Sequence, residues 1–353
     1  MTSPRSRINL AVGLLLVCGF VVVAGAVGFG LWGALSGTMQ PTPDFAGTLQ
    51  ALVTAAARGT SRPEASALGA PSTPPPAGDQ LSGHIVLTCQ IYKFQSSNQI
   101  CIMNADGSGY RRLTTEDGIA HWYASLAPDG GSVVYSQYRE DNVYEIYELR
   151  LGDGVVTRLT DRLGTLTGPE MSPDGKSIVF MRWTAISNQE QVWKMDRDGG
   201  NPRRVVGGTG WDPTWSPDGM RILFASDRDG SNQLYVVNMD GSGLRKITSL
   251  PALRGRSDWS PLNQIVTYSG AAWNRELFLM NADGSDVREI SPQRGNSQGP
   301  AFSPDGLWVA FTAYFDRIND ENGCEIYVIR TNGSDLRRLT NNDYCDYQPR
   351  WGP

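Results

Sequence analysis

A bulky apolar residue followed by a proline turn recurs along this chain at an almost fixed interval, and that interval leaves few folds open. The copies are 126–130 (LAPDG), 171–175 (MSPDG), 215–219 (WSPDG), 259–263 (WSPLN) and 302–306 (FSPDG); their prolines, Pro128, Pro173, Pro217, Pro261 and Pro304, stand 45, 44, 44 and 43 residues apart. A truncated sixth copy, PRWGP, runs from Pro349 to Pro353. A self-similar period of this size belongs to units that bury their apolar faces on one another.

Between these turns lies a second signature: an apolar pair, a turn and a basic cluster, as in 100–114 (ICIMNADGSGYRRLT) and 326–340 (IYVIRTNGSDLRRLT). Its turn glycines are Gly107, Gly154, Gly199, Gly241, Gly284 and Gly333. Each unit holds four short β-prone runs. In one of them these are 213–215, 222–226, 233–238 and 244–248, separated by PDG and DGSG turns. Proline presets φ, aspartate accepts local hydrogen bonds and glycine supplies positive φ, which is what tight strand connections need. Four antiparallel strands every 44 residues or so make one propeller blade.

The two ends complement one another. Residues 84–114 supply a second, third and fourth strand without a first, and PRWGP supplies a first strand alone. A blade assembled from both would close a ring and hide the edges an open array exposes. The expected fold is therefore all-β: a six-bladed propeller over 81–353 with a composite N/C-terminal closing blade.

These pieces (P-x-W-S-P-D-G, I-x-F-x-S, I-Y-V-M-x-x-D-G and R-R-L-T) resemble the repeat of the TolB-type β-propellers, related to WD-type repeats, over about residues 82–353. The resemblance implies the propeller fold. In that family a soluble periplasmic protein carries an α/β domain before its propeller and has a partner in the envelope-spanning Tol–Pal assembly; here other sequence stands in that domain's place.

That sequence begins with a run from Ile8 to Leu35 that holds no charge, long enough to cross about 30 Å of hydrocarbon as a helix. Arg5 and Arg7 precede it and the next basic residue is Arg58, so the positive-inside rule puts residues 1–7 in the cytoplasm and everything after the 8–36 span outside. A signal peptide cleaved near residues 24–26 is the alternative; the run is nearly twice a usual apolar signal core. Cys18 lies within the run, without the small residue a lipobox expects before it. Residues 37–80, rich in proline, alanine and serine, read as a tether with one short amphipathic helix at 44–58.

Composition excludes several function classes. With 31 Lys+Arg against 36 Asp+Glu and a net charge of −5, no basic surface for nucleic acid is expected. There are two histidines, His84, placed before the first strand, and His121, placed in a loop, too few for the histidine ligands of metal-dependent lyases among related propellers. No G-x-S-x-G elbow occurs, and a hydrolase of the wider family would carry a second, catalytic domain. We expect no catalytic residue, no cofactor and no metal. The DRDG and NADGSG loops place oxygen ligands close together, but they sit where each blade needs a turn and lack the glutamate at the twelfth position of a calcium loop.

Four cysteines follow the span, and outside the cytoplasm they should oxidise. Three pairings exist. Aligning the repeats puts Cys89 on a second strand and Cys101 on the third strand beside it, within diagonal reach, while Cys324 and Cys345 meet at one end of the last complete blade. Cys89–Cys101 and Cys324–Cys345 are the expected bridges.

In a propeller the loops between second and third strands and those between blades share one face around the channel mouth. Here they are rich in aromatic residues and arginine, the types that dominate binding hot spots. The blade-to-blade set is His121, Trp122, Tyr123, Trp211, Asp212, Arg254, Arg256, Asp258, Tyr344 and Tyr347; the other set is Tyr138, Trp183, Arg228, Trp273, Arg275, Tyr314, Phe315 and Arg317. Trp215, Trp259, Phe302 and Trp351 recur and are assigned to packing between blades. The Arg111/Arg112, Arg203/Arg204, Arg245/Lys246 and Arg337/Arg338 pairs are assigned to the outer rim. The expected function is a membrane-anchored extracytoplasmic module that binds a protein or peptide of the cell envelope; a receptor for carbohydrate or another envelope polymer is the alternative, and a hydrolase or lyase a more distant one.

Overall fold

The computed structural model describes residues 81–91, 98–116, 118–271, 273–315 and 323–353. The tail, span, tether and short helix expected within residues 1–80 lie outside these, as does Arg317. The described residues form twenty-four strands and no helix. In chain order they are β1 (His84–Gln90), β2 (Asn98–Asn104), β3 (Arg111–Arg112), β4 (His121–Leu126), β5 (Ser132–Glu140), β6 (Val143–Arg150) and β7 (Val156–Arg158). Next come β8 (Thr165–Met171), β9 (Ser177–Trp183), β10 (Gln191–Asp196), β11 (Arg203–Arg204), β12 (Trp211–Trp215), β13 (Arg221–Ser226), β14 (Gln233–Asn238) and β15 (Arg245–Lys246). The rest are β16 (Leu253–Trp259), β17 (Gln264–Ala271), β18 (Asn274–Asn281), β19 (Arg288–Glu289), β20 (Gln298–Phe302), β21 (Trp308–Ala313), β22 (Glu325–Arg330), β23 (Arg337–Arg338) and β24 (Asp346–Gly352).

Strands β12 to β15, β16 to β19 and β20 to β23 each form a four-stranded antiparallel sheet in chain order. Strands β4 to β11 form one eight-stranded sheet whose halves meet at a single parallel pair, Tyr144 with Thr165. The remaining sheet, β24-β1-β2-β3, joins the two ends: His84 pairs with Gly352 and Cys89 with Asp346. The first strands pack in a cycle, β4 on β8, β8 on β12, β12 on β16, β16 on β20, β20 on β24 and β24 back on β4, so the sheets close into a propeller. His84 opens β1 instead of preceding it, its Nδ1 3.1 Å from the carbonyl of Pro353.

The core lies between neighbouring sheets. Val266, Leu277 and Leu279 of one meet Val309, Phe311 and Tyr327 of the next, and Trp215, Trp259 and Phe302 are buried at the same seams. Burying a side chain of that size stabilises by roughly 2–3 kcal/mol. At the PDG turns that have a serine before the proline, it donates to the aspartate, as Ser172 Oγ does to Asp174 Oδ1 at 2.6 Å; the first turn carries Ala127 there. The WSPLN copy lacks glycine, and Asn263 takes its left-handed conformation at φ 60°.

The threonine of the RRLT motif has a structural task. The fourth strands are mostly two residues long, and just beyond each the hydroxyl continues the pairing. Thr248 Oγ1 accepts from Leu234 N at 2.8 Å and donates to Gln233 Oε1 at 2.7 Å. Thr114 with Ile100 and Gln99 repeats the arrangement, as do Thr160 with Ile146 and Glu145, Ser291 with Leu277 and Glu276, and Thr340 with Ile326 and Glu325. At the corresponding position after β11 the chain carries Val206.

Candidate functional site

Every first strand carries a bulge at the same place. The residues in the left-handed region there are Tyr123, Gly168, Asp212, Arg256, Gly299 and Gln348. Each coincides with a break in register against the neighbouring second strand, for example between Trp211 and Thr214 or between Trp122 and Ser125. A bulge adds a residue, bends the strand and re-aims side chains. It also explains a difference from the sequence expectation. The first strands begin earlier than the proline motif indicates, so His121, Trp122 and Tyr123 lie in β4, Trp211 and Asp212 in β12, Arg254, Arg256 and Asp258 in β16 and Tyr347 in β24, none of them in a loop. In the second set Tyr138, Trp183 and Arg275 likewise lie within strands, β5, β9 and β18.

The bulges build a charged collar around the ring's centre. A void of about 10 Å³ there is lined by Tyr123, Glu170, Asp212, Arg256 and Arg350 with their neighbours. Glu170 Oε1 accepts from Thr214 Oγ1 at 2.6 Å and Trp215 N at 3.1 Å, and its Oε2 lies 3.5 Å from Arg350 Nε. Asp258 does the same one step on, accepting from Phe302 N at 2.7 Å and from Trp259 N at 2.9 Å. Each carboxylate thereby ties its own sheet to the next. Arg350 reaches the carbonyls of Pro300 and Ser257 at 3.0 and 3.2 Å, and Asp212 Oδ2 accepts from Arg256 N at 2.9 Å.

Burial sets the electrostatics of this collar. It raises the Glu170 and Asp212 carboxyls above their ordinary range, against the pull of Arg350 and Arg256 respectively. It pushes Arg256 down to about 10, with Arg350 adding repulsion, so the guanidinium still carries its charge at neutral pH. That guanidinium lies 5.1 Å from the Tyr123 ring centre. The polar groups are engaged in holding sheets together, save Arg256 Nε, which is buried without a partner. A void of 10 Å³ with one orphan donor suits a single water and no larger ligand.

His121 is buried beneath the face, its Nε2 3.9 Å from a Glu116 carboxylate oxygen. Burial lowers its pKa, which favours the neutral ring. Trp122 meets Tyr347 edge-on at 5.8 Å between ring centres, and Trp273 meets Tyr314 at 5.4 Å. Tyr314, Trp273 and Tyr347 gather round the Cys324–Cys345 disulfide, whose Cα atoms are 4.7 Å apart. The structure thus brings four of the expected residues, Trp122, Trp273, Tyr314 and Tyr347, into one aromatic patch over the second bridge and places three others, Tyr123, Asp212 and Arg256, in the collar, with Asp258 tied beside them. Trp183 ends β9 away from both groups, and Trp211 donates Nε1 to the Arg254 carbonyl at 3.4 Å. Arg275 is buried, with Nη1 2.6 Å from Gln298 Oε1. The Cys89–Cys101 bridge spans diagonal positions of β1 and β2, Cα atoms 5.9 Å apart.

A much larger opening, about 490 Å³, lies on the loop face between the β13–β14 turn and the β15–β16 connection. Ser231, Asn232, Lys246, Ser249, Leu250 and Arg254 are among its lining residues. Sequence reasoning missed most of these. They are small or polar, and Lys246 belongs to a recurring basic pair assigned to the outer rim; the one available signal was that 249–254 (SLPALR) departs from the repeat.

Comparison with known proteins supports the same architecture. No family model matches the chain. An uncharacterized protein of Agrobacterium fabrum is 37% identical over 98 residues, covering 28% of this chain and 32% of that protein. The Tol-Pal system protein TolB of Francisella tularensis is 35% identical over 72 residues, 20% of this chain and 16% of its own length. The matched stretches thus span a third or less of these relatives. Among solved structures, TolB from Acinetobacter baumannii aligns over 77% of this chain and 67% of its own with a TM-score of 0.67 and 22% identity. The described residues therefore form a TolB-like β-propeller, a likeness of fold.

Proposed function

We propose that this chain is a membrane-anchored, extracytoplasmic propeller of six blades that binds a protein or peptide of the cell envelope through its loop face and catalyses no reaction. The blade count treats the eight-stranded sheet as two blades, because one residue pair joins its halves, and it agrees with the six left-handed positions of the first strands. Two disulfides favour an oxidising compartment, and the uncharged run at 8–36 favours an anchor. The TolB likeness favours a protein partner in the envelope.

The observation that carries the reading is the contrast in room: about 10 Å³ at the centre of the ring against about 490 Å³ on the loop face. A partner engages that face from outside. Proximity labelling from the full chain in its native host tests this against a Trp122→Ala/Trp211→Ala/Trp273→Ala variant. Loss of a specific envelope protein from the labelled set, with melting of the variant still cooperative, is the expected outcome. An unchanged set in a folded variant rejects the face, and turnover of a substrate that depends on His121 rejects the non-catalytic assignment.

A further inference from the structure

The groove of about 490 Å³ divides by chemistry. Leu250, Pro251 and Ala252 supply an aliphatic side, Leu253 being turned into the core, and no aromatic ring lines it. Lys246 and Arg254 supply two positive charges, and no carboxylate lines it either. Ser231, Asn232 and Ser249 add neutral polar groups.

Hydrogen-bond accounting separates this groove from the collar. Among the described residues, the side chains of Lys246, Ser231, Asn232 and Ser249 have no partner, and Arg254 uses Nε alone, donating to the Gly270 carbonyl at 3.0 Å. The terminal nitrogens of the guanidinium remain free to form a two-pronged contact with a carboxylate. These open groups sit on a fixed frame. Gln233 donates Nε2 to the Leu250 carbonyl at 2.9 Å while its Oε1 accepts from Leu250 N at 3.1 Å. Ser269 Oγ donates to the Pro251 carbonyl, and Gly270 N to that of Ala252 at 3.3 Å. A site held in place beforehand loses little freedom when it binds.

We infer that this groove receives a short acidic peptide segment of the envelope partner, with a carboxylate on Arg254 and Lys246 and an adjacent apolar side chain against Leu250 and Pro251. The inference rests on the loop-face reading above and names the chemistry recognised there. Two cations without a balancing acid select a carboxylate. The aliphatic side selects a peptide side chain over a sugar ring, and the volume lies within the 300–1,000 Å³ usual for sites that enclose small ligands.

Fluorescence anisotropy with the full chain and a fluorescein-labelled peptide of alternating glutamate and leucine provides the test. We expect saturable binding that weakens at least tenfold in the Lys246→Glu/Arg254→Glu variant and falls with added salt. A peptide of alternating lysine and leucine should not bind. Both substituted side chains are exposed, so the variant's melting should match that of the parent protein. Equal affinity for the two peptides, or indifference to the charge reversal, overturns the inference. Binding of a hexuronic acid oligomer in place of the acidic peptide, lost in the same variant, also overturns it and gives the groove to a saccharide. Proximity labelling distinguishes this failure from that of the wider reading. A labelled set unchanged by the charge reversal but altered by the triple tryptophan variant removes the groove and keeps the face; a set altered by neither removes both.

Discussion

The sheet formed by β12 to β15 and the sheet formed by β24, β1, β2 and β3 have the same strand order but different continuity. In the first, one PDG turn links β12 to β13. In the second, the corresponding pair comes from opposite ends of the propeller and is held by pairing between β1 and β24. The cross-strand contacts differ accordingly. Tyr235 of β14 stacks on Phe224 at 6.0 Å and donates its hydroxyl to Asp229 at 2.7 Å. Its counterpart, Cys101 of β2, pairs with Arg112 as Tyr235 pairs with Lys246, and is bonded to Cys89. The composite sheet also holds a buried carboxyl, Asp346, which accepts from Tyr110 at 2.9 Å and Asn342 at 2.7 Å. Where chain continuity is missing, covalent and polar ties stand in for it.

Removing residues 346–353 deletes β24 and should have the largest effect. It exposes the inner edge of β1 and takes Arg350 from Glu170, so cooperative thermal unfolding followed by circular dichroism should be lost. A truncated chain that melts like the full one would show that the composite sheet is dispensable. Next comes the bridge. Cys89→Ser/Cys101→Ser should cost about 3 kcal/mol in denaturant unfolding, because the bond closes a short loop. Mass mapping without reductant should recover both bridges in the parent protein, and free thiols at Cys89 and Cys101 would remove the basis of the comparison.

The third difference is one of pH. Burial raises Asp346 from 3.8 to about 7, against the hydrogen bonds from Tyr110 and Asn342. Its folded pKa then exceeds the unfolded one, so the folded state binds the proton more tightly and stability falls as pH rises from about 4 to about 7. Asp346→Asn should flatten that slope, removing a fall of about 2 kcal/mol between pH 5 and pH 8. An unchanged pH profile of the melting temperature in the variant would assign the slope to another group.

The sequence made the ring legible because turns obey local rules: the proline recurs at every first-to-second-strand connection, aspartate and glycine at all but the one where Leu262 and Asn263 stand in, and their spacing carries through to the packing of sheets. The same locality made Cys89–Cys101 readable, since both lie within one hairpin. The bulges were not readable. Tyr123, Asp212, Arg256 and Gln348 adopt positive φ with side chains that do not prefer it, a conformation imposed by the ring and not by local propensity. Residues expected in loops therefore lie in strands, and Arg256 and Asp212 tie a collar. The groove was hidden for a different reason: Lys246 repeats a rim motif, and only the fold sets it near Arg254, which lies eight positions along the chain.

The smallest effect concerns a feature the two sheets share. Thr248 and Thr114 each accept from a third-strand amide and donate to a glutamine, Gln233 and Gln99, at the same 2.7 Å. Valine keeps the shape of threonine but removes the hydroxyl, leaving at both sites a buried third-strand amide without its acceptor, at a cost of about 1–2 kcal/mol. Thr248→Val and Thr114→Val should therefore lose the same stability to within about 0.5 kcal/mol in matched urea titrations. The β8–β11 unit already carries Val206 there, and its Gln191 Oε1 accepts from Trp193 Nε1 at 3.0 Å instead. A clearly smaller loss at Thr114 would mean that the composite sheet is already loosened at its third strand; a larger one would mean that it leans on this hydroxyl where the continuous sheet leans on its backbone connection.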